Sequence, residues 1–161
     1  MALEFIDNPL VQGIHLYDAD GQTSNFSDTG TGRYEPISPG NFDYIEQNGN
    51  EYVLHRKNRT AYRFNSEGQL IAIVNKNGHA VTLTYDGNGD LDIIINASNR
   101  TVELDWTGEH ITEIRAPEGK VLTYQYDGDL LRRFINANGG VTEYQYDANS
   151  RLTTIISPNG Y

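Results

Sequence analysis

Two consecutive stretches near the end of the chain decide the fold: KVLTYQYDGDLLRRFINANG at residues 120–139 and GVTEYQYDANSRLTTIISPNG at residues 140–160. In the first stretch Leu122, Tyr124 and Tyr126 alternate with polar residues, a period of two that is typical of a half-buried β-strand. An Asp-containing turn and a second short apolar run follow the last tyrosine in both stretches. This layout predicts a β-hairpin in each.

The same layout recurs upstream at residues 59–78, 79–99 and 100–119, so five hairpin blocks follow one another. Each block has one aromatic anchor at the end of its first strand, and these anchors are spaced by 21, 21, 20 and 20 residues. The aromatic anchors are Phe64, Tyr85, Trp106, Tyr126 and Tyr146. An apolar anchor opens each second strand, and these are Leu70, Leu91, Ile111, Leu131 and Leu152. We therefore expect each hairpin to pack against its neighbours, as in other repeat proteins.

The second strands contain apolar residues three positions apart, such as Ile111 and Ile114. That spacing does not fit a flat strand, yet runs of about five residues between turns are too short for a helix. It predicts a local β-bulge or strong twist in each second strand. Asp, Asn and Gly mark the turns on either side, because Gly accepts a positive φ and Asp bonds to its own backbone. The turn sequences include Asp86-Gly87-Asn88-Gly89, Thr107-Gly108, Asp127-Gly128, Asn77-Gly78, Asn138-Gly139 and Pro158-Asn159-Gly160.

The first third of the chain is also predicted to be β, without the repeat. Residues 27–41 are rich in Gly, Ser, Thr and Pro and predict a loop, while a hairpin is expected around Asn48-Gly49. We therefore divide the chain into an irregular β lead-in at residues 1–58 and five hairpin repeats at residues 59–160. The predicted fold class is all-β, with tandem antiparallel hairpins that form one curved, spiralling sheet.

Composition narrows the range of functions. The formal net charge is −10, with 22 acidic against 12 basic residues, which argues against a nucleic-acid partner. Membrane insertion is not expected, because the chain contains no apolar stretch of the roughly 20 residues that span a bilayer. Cysteine is absent, so thiolate metal sites are excluded. We expect no cofactor.

Tyr-x-Tyr-Asp at residues 124–127 and 144–147, with Ser150-Arg151-Leu152 after the second motif, resembles the YD or Rhs (rearrangement-hotspot) repeat. Block 100–119 departs from the pattern, with Trp106-Thr107 in place of Tyr-Asp. The family includes bacterial Rhs and wall-associated polymorphic toxins, C components of insecticidal toxin complexes, and teneurins. The resemblance implies a β-sheet strip that spirals into a shell around a C-terminal toxin domain. It also implies a secreted or cell-surface location in a bacterium.

Five hairpins are too few to close such a shell, so we expect a segment of a larger protein. Its expected partners are neighbouring YD repeats, and its unpaired strand edges predict self-association. The resemblance and the turn-and-packing character of the motif predict a non-catalytic scaffold. The main alternative is a carbohydrate- or cell-surface-binding module, since Tyr and Trp beside Asn and Asp suit sugar stacking. A calcium site at Asp86, Asn88 and Asp90 is disfavoured, because the loop lacks the Gly and Glu that calcium loops carry further on.

Overall fold

The computed structural model describes residues 1–8 and 11–159. The predicted turn at Pro158-Asn159-Gly160 therefore lies partly outside the described residues. The strands are β1 (Ala2–Asn8), β2 (Val11–Tyr17), β3 (Thr23–Asp28), β4 (Arg33–Pro36), β5 (Tyr44–Asn48), β6 (Glu51–His55), β7 (Ala61–Phe64), β8 (Leu70–Val74), β9 (Ala80–Tyr85), β10 (Leu91–Ile95), β11 (Thr101–Thr107), β12 (His110–Ala116), β13 (Lys120–Asp127), β14 (Leu130–Ile135), β15 (Val141–Tyr146) and β16 (Leu152–Ile156).

The fold class predicted from the sequence is confirmed. The strands belong to one sheet in which their spatial order is the order of the chain, and paired strands run antiparallel. Within the described residues, the helical content is one 3₁₀ turn at Pro117–Gly119. No helix in that part of the chain is long and apolar enough to cross a membrane.

Packing divides the chain into two compact units, Met1–Leu83 and Thr84–Tyr161. The boundary predicted from the sequence repeat lies between residues 58 and 59. The boundary between the two packed units lies instead after Leu83. The two earliest hairpin strands of the repeat region, β7 and β8, lie in the first unit together with the lead-in. The boundary between the lead-in at residues 1–58 and the repeats at residues 59–160 stays a prediction.

The first unit has a closed hydrophobic core. Inward-facing side chains from seven of its strands form the core, and most of them are fully buried. These residues are Leu3, Ile14, Leu16, Phe26, Ile45, Leu54, Phe64 and Leu70. The lead-in is thus a packed structure that encloses the first repeat's two anchors, Phe64 and Leu70.

The strand β1 closes this unit against a turn of the first hairpin repeat. The amide of Leu3 donates a 2.9 Å hydrogen bond to the carbonyl of Gly68, and Ala2 forms an isolated bridge with Gln69. Gly68 has a φ of +80°, and a Cβ on it would come within 2.1 Å of the carbonyl oxygen of Leu3. Only glycine fits there, because the turn requires the left-handed region and the neighbouring backbone leaves no room.

A β-bulge recurs beside the aromatic anchor of the hairpins, which confirms the predicted irregularity of the second strands. The register shifts by one residue next to Phe64, Trp106, Tyr126 and Tyr146. One residue of the second strand is therefore left unpaired, such as Thr112 opposite Asp105 and Trp106. The bulge returns residues three apart, Ile111 and Ile114, to the same face of the sheet, which explains the helix-like spacing in a strand.

Two kinds of hairpin turn account for the two repeat lengths. After Phe64, Tyr85 and Tyr146 the next residue is Asn or Asp, and its Oδ1 accepts the amides two and four residues later. After Trp106 and Tyr126 the loop has only two residues, beginning with a glycine of positive φ, as in a type II′ turn. The longer turn lengthens the spacing to the next aromatic anchor by one residue, from 20 to 21.

Candidate functional site

The aromatic anchors of the second unit are half-buried, in contrast to the fully buried Phe64 of the first unit. Tyr85, Trp106, Tyr126 and Tyr146 each keep part of their ring surface accessible. The apolar anchors Leu91, Ile111 and Leu131 are half-buried too, and Leu152 on β16 is exposed. These residues lie at equivalent positions in their hairpins. Their roles therefore depend on the hydrogen bonds and ring contacts that each makes with the preceding hairpin.

Two of these aromatic anchors bind the hairpin before them through their polar atoms. The indole Nε1 of Trp106 donates a 2.8 Å hydrogen bond to the carbonyl of Leu91. The hydroxyl of Tyr146 donates a 2.9 Å hydrogen bond to the carbonyl of Leu131. In both cases the acceptor lies at the start of the preceding second strand, fifteen residues earlier in the chain: Leu91 is the first residue of β10 and Leu131 the second residue of β14. The aromatic anchor therefore joins consecutive repeats by packing and by a hydrogen bond.

Tyr126 is held by a different contact. Its ring stacks on the imidazole of His110, with centroids 4.4 Å apart and planes inclined by 10°. The Nε2 atom of His110 lies 3.2 Å from Oδ1 of Asp129, in the turn that follows Tyr126. His110 precedes the apolar anchor Ile111, so the stack also joins this aromatic to the preceding hairpin.

Trp106 also lines a cavity of about 460 Å³ within the second unit. Leu104 contributes an apolar surface beside it, and the remaining walls are polar and acidic. Those walls are formed by Asp86, Asn88, Asp90, Asp92, Asp105 and Gly108. An aromatic ring beside carboxylates and an amide is the combination that the carbohydrate interpretation requires, and the structure brings it together around one of the five anchors.

The carboxylate of Asp86 is engaged by its own turn. Its Oδ1 accepts the amides of Asn88 and Asp90 at 2.8 and 2.9 Å, and its Oδ2 lies 3.3 Å from Nδ2 of Asn88. These hydrogen bonds, led by that from Asp90, lower the pKa of Asp86. Within the described residues, no group of three or more His, Cys, Asp or Glu side chains is arranged to hold a metal ion. The calcium candidates Asp86, Asn88 and Asp90 thus share a turn that their own hydrogen bonds maintain.

The sequence did not single out Arg115, which lies at the centre of a charged cluster on β11 and β12. Its guanidinium contacts both carboxylate oxygens of Asp105 at 2.5 and 2.6 Å, Glu113 at 2.6 Å and Glu103 at 3.1 Å. Hydrogen bonding to Arg115 lowers the pKa of Asp105. The alternation of apolar and polar residues in β11 places Glu103 and Asp105 on one face of the strand. The pairing of β11 with β12, which brings Arg115 to them, could not be derived from residue spacing.

Consecutive antiparallel hairpins, three of which contact the preceding hairpin through the aromatic side chains of Trp106, Tyr126 and Tyr146, define a β-hairpin repeat protein. The model of the RHS Repeat family matches residues 127–161, which include the second Tyr-x-Tyr-Asp motif. The chain belongs to this family of RHS or YD repeats.

Similar proteins come from animals and from bacteria. The chain is 27% identical to teneurin-1 of Homo sapiens over 136 residues, which cover 79% of the chain. It is 30% identical to teneurin-m of Drosophila melanogaster over 98 residues, or 59% of the chain. It is 33% identical to the tRNA nuclease WapA of Bacillus subtilis over 149 residues, or 91% of the chain. The matched regions cover only 4–6% of these relatives, so the chain corresponds to a repeat scaffold within much larger proteins.

Proposed function

We propose that the chain is a non-catalytic structural scaffold, a segment of a YD-repeat shell that encloses or presents a C-terminal toxin domain. The main support is the way Trp106 and Tyr146 each bind the preceding hairpin through a backbone carbonyl. An aromatic side chain that donates its only hydrogen bond to the neighbouring repeat stabilises the array of repeats. The similarity to a protein named as a tRNA nuclease supports the toxin assignment for the complete protein.

The test uses the full-length protein that contains these residues. Limited proteolysis followed by mass spectrometry should show that the segment downstream of the repeats is protected. A Trp106→Phe and Tyr146→Phe double variant should open the array and accelerate cleavage downstream, while Tyr126→Phe serves as the control. Equal and rapid cleavage of the downstream segment in all three proteins would contradict enclosure.

Further repeats are the proposed partners of this segment, with β16 as the docking edge. β16 stands last in the strand order, and its Leu152 and Ile155 are 49% and 52% exposed. In the preceding hairpin, the equivalent Leu131 and Phe134 are half-buried, and Phe134 is paired with Thr142 of the next block. An edge of this kind, with no charged residue between Leu152 and Ile156, favours addition of another strand.

In isolation, the same edge is expected to pair with a second copy. Sedimentation velocity over a wide concentration range should show reversible association of the chain. Ile155→Lys should suppress it by placing a charge on the edge. Val121→Lys is the matched control, since Val121 is also exposed but lies on β13, between two paired strands. A concentration-independent monomer would remove this proposal.

Carbohydrate binding is the second candidate function, and the cavity beside Trp106 favours it. The indole can stack on the apolar face of a sugar ring, while Asp90 and Asp92 accept hydrogen bonds from its hydroxyls. A glycan array should show signals that are lost in Trp106→Ala and retained in Tyr126→Ala, whose ring does not line this cavity. Uniform silence of the wild-type chain on the array would exclude the candidate.

We also propose that the complete protein is secreted or displayed on a bacterial surface. The similarity to WapA of Bacillus subtilis over 91% of the chain supports a bacterial setting. Fractionation of producing cells, with immunoblotting for this segment, should place it in the wall or medium fraction. Recovery only with a cytoplasmic marker would contradict the proposal.

A further inference from the structure

Four Asn-Gly steps lie in exposed turns of the described residues. They are Asn48-Gly49, Asn77-Gly78, Asn88-Gly89 and Asn138-Gly139. Asn-Gly is the dipeptide most prone to spontaneous loss of the asparagine amide, because glycine offers no side chain to obstruct attack by its own nitrogen. Since the four steps are all exposed, solvent access does not distinguish them, but their local backbone hydrogen bonds differ.

The backbone hydrogen bonds separate one step from the other three. The amide nitrogens of Gly78, Gly89 and Gly139 donate to the carbonyls of Asn75, Asp86 and Asn136, at 2.9, 3.1 and 2.8 Å. Gly49 instead follows directly after β5 in the two-residue turn between Asn48 and Glu51. Its amide makes no hydrogen bond to another group in the described part of the chain.

We infer that Asn48 is the preferred site of spontaneous deamidation in the folded protein. The nitrogen of Gly49 attacks Cγ of Asn48, a C–N bond forms, and the side-chain nitrogen leaves as ammonia. The resulting succinimide takes up one water, and opening of the ring gives either aspartate or isoaspartate. The attacking nitrogen loses its proton in the first step, and at the other three sites that proton is already donated to a carbonyl and the nitrogen is held in a closed turn.

The modification would act on the hairpin that carries part of the first unit's core. Asn48 is paired with Glu51 at the end of β5 and β6, and Ile45 is paired with Leu54 three residues further in. Both Ile45 and Leu54 are fully buried. Isoaspartate inserts an additional carbon into the main chain beside the turn, and either product places a new negative charge opposite Glu51. Both effects loosen the register that directs Ile45 and Leu54 into the core.

Peptide mapping by mass spectrometry tests the inference on the intact chain incubated at mildly alkaline pH. Deamidation at Asn48 should be on the order of five- to tenfold faster than at Asn77, Asn88 or Asn138, the factor that one hydrogen bond provides. In denaturant the four rates should converge, which separates a structural cause from an effect of neighbouring sequence. Asn159-Gly160 is left out of the comparison, because Gly160 lies outside the described residues.

A second measurement tests the consequence. After incubation, the wild-type chain should unfold at a lower temperature than before, and Asn48→Gln should keep its initial melting temperature. Conversion of Asn77 or Asn138 as fast as Asn48 in the folded protein would overturn the inference. A rate order that is the same in the folded and the denatured chain would overturn it as well.

Discussion

The indole nitrogen of Trp106 donates its hydrogen to the carbonyl of Leu91, the residue that opens the second strand of the preceding hairpin. Tyr146 reaches Leu131 in the same way, although a phenol replaces the indole. Two chemically different side chains thus supply one donor at one structural position. Their shared function explains why the block that contains Trp106-Thr107 instead of Tyr-Asp still fits the array.

Removal of this donor should destabilise the second unit. Tyr146→Phe deletes the hydroxyl and leaves the half-buried carbonyl of Leu131 without that partner, at an expected cost of about 0.5–1.5 kcal/mol. Tyr126→Phe is the control, because within the described residues its hydroxyl makes no hydrogen bond and its ring keeps the stack on His110. Urea denaturation measures both changes. Equal free energies of unfolding for the two variants would show that the bond to Leu131 contributes nothing.

Gly68→Ala should destabilise the first unit more than Gly78→Ala. The two glycines share a φ of about +80°, so each alanine bears the left-handed strain of roughly 1–2 kcal/mol. Only at Gly68 does the added Cβ collide with the carbonyl of Leu3, whereas nothing lies within 4 Å at Gly78. We expect Gly68→Ala to exceed its control by about 1 kcal/mol or more, since the Leu3–Gly68 hydrogen bond must also break. Thermal unfolding that gives the same loss for both would argue against closure by β1.

The turn carboxylates should make stability depend on acid pH. Backbone amides, foremost those of Asp90 and Arg151, lower the pKa of Asp86 and Asp147 from the ordinary 3.8. A folded pKa below the unfolded value means that ionisation stabilises the fold above the unfolded pKa. That contribution is lost as the pH falls through the folded pKa.

An Asp86→Asn and Asp147→Asn double variant keeps the Oδ1 acceptor and removes the titration, as in the native turns at Asn75, Asn96 and Asn136. Urea midpoints measured from about pH 6 to about pH 2 should fall less steeply for the variant than for the wild type. Parallel curves would indicate that other acidic groups govern the acid transition.

Arg115→Ala should lower the melting temperature more than Arg133→Ala. Arg115 contacts Glu103, Asp105 and Glu113, whereas the ion pair of Arg133 is a single contact with Glu143 at 3.4 Å. Without Arg115, three carboxylates face one another across β11 and β12. Added salt should recover part of the loss by screening their repulsion. Differential scanning at low and high salt checks this, and a salt-independent loss would point to lost packing of the arginine stem.

The sequence was sufficient to predict the hairpins and the bulge, because both depend on local chemistry. The alternation of Leu122, Tyr124 and Tyr126 with polar residues predicts a strand. The three-residue spacing of Ile111 and Ile114 indicates the extra residue that the bulge leaves unpaired. Period and turn residues are properties of short segments. They do not depend on contacts with distant parts of the chain.

Contacts between distant segments were beyond local patterns. The closure of β1 on Gly68 joins residues 65 positions apart, and nothing near Leu3 marks its partner. The cavity beside Trp106 depends on how the turn at Asp86 meets the next strand. The turn at Asn96 was also not predicted from the sequence. Asn96 accepts hydrogen bonds from the amides of Ser98 and Arg100, as Asp86 does in its own turn. The usual glycine signal is absent there, because Asn99 adopts the positive φ.

The fifteen-residue interval between Leu91 and Trp106, and between Leu131 and Tyr146, has a consequence for how such arrays change length in evolution. The hairpins of Trp106 and Tyr146 are each positioned by a carbonyl of the preceding hairpin and not by the start of the chain. A residue gained or lost in the turn after an anchor lies outside that interval, so the error does not accumulate along the array. An insertion within the interval would displace the donor from its carbonyl, and natural length variation should therefore concentrate in the hairpin turns.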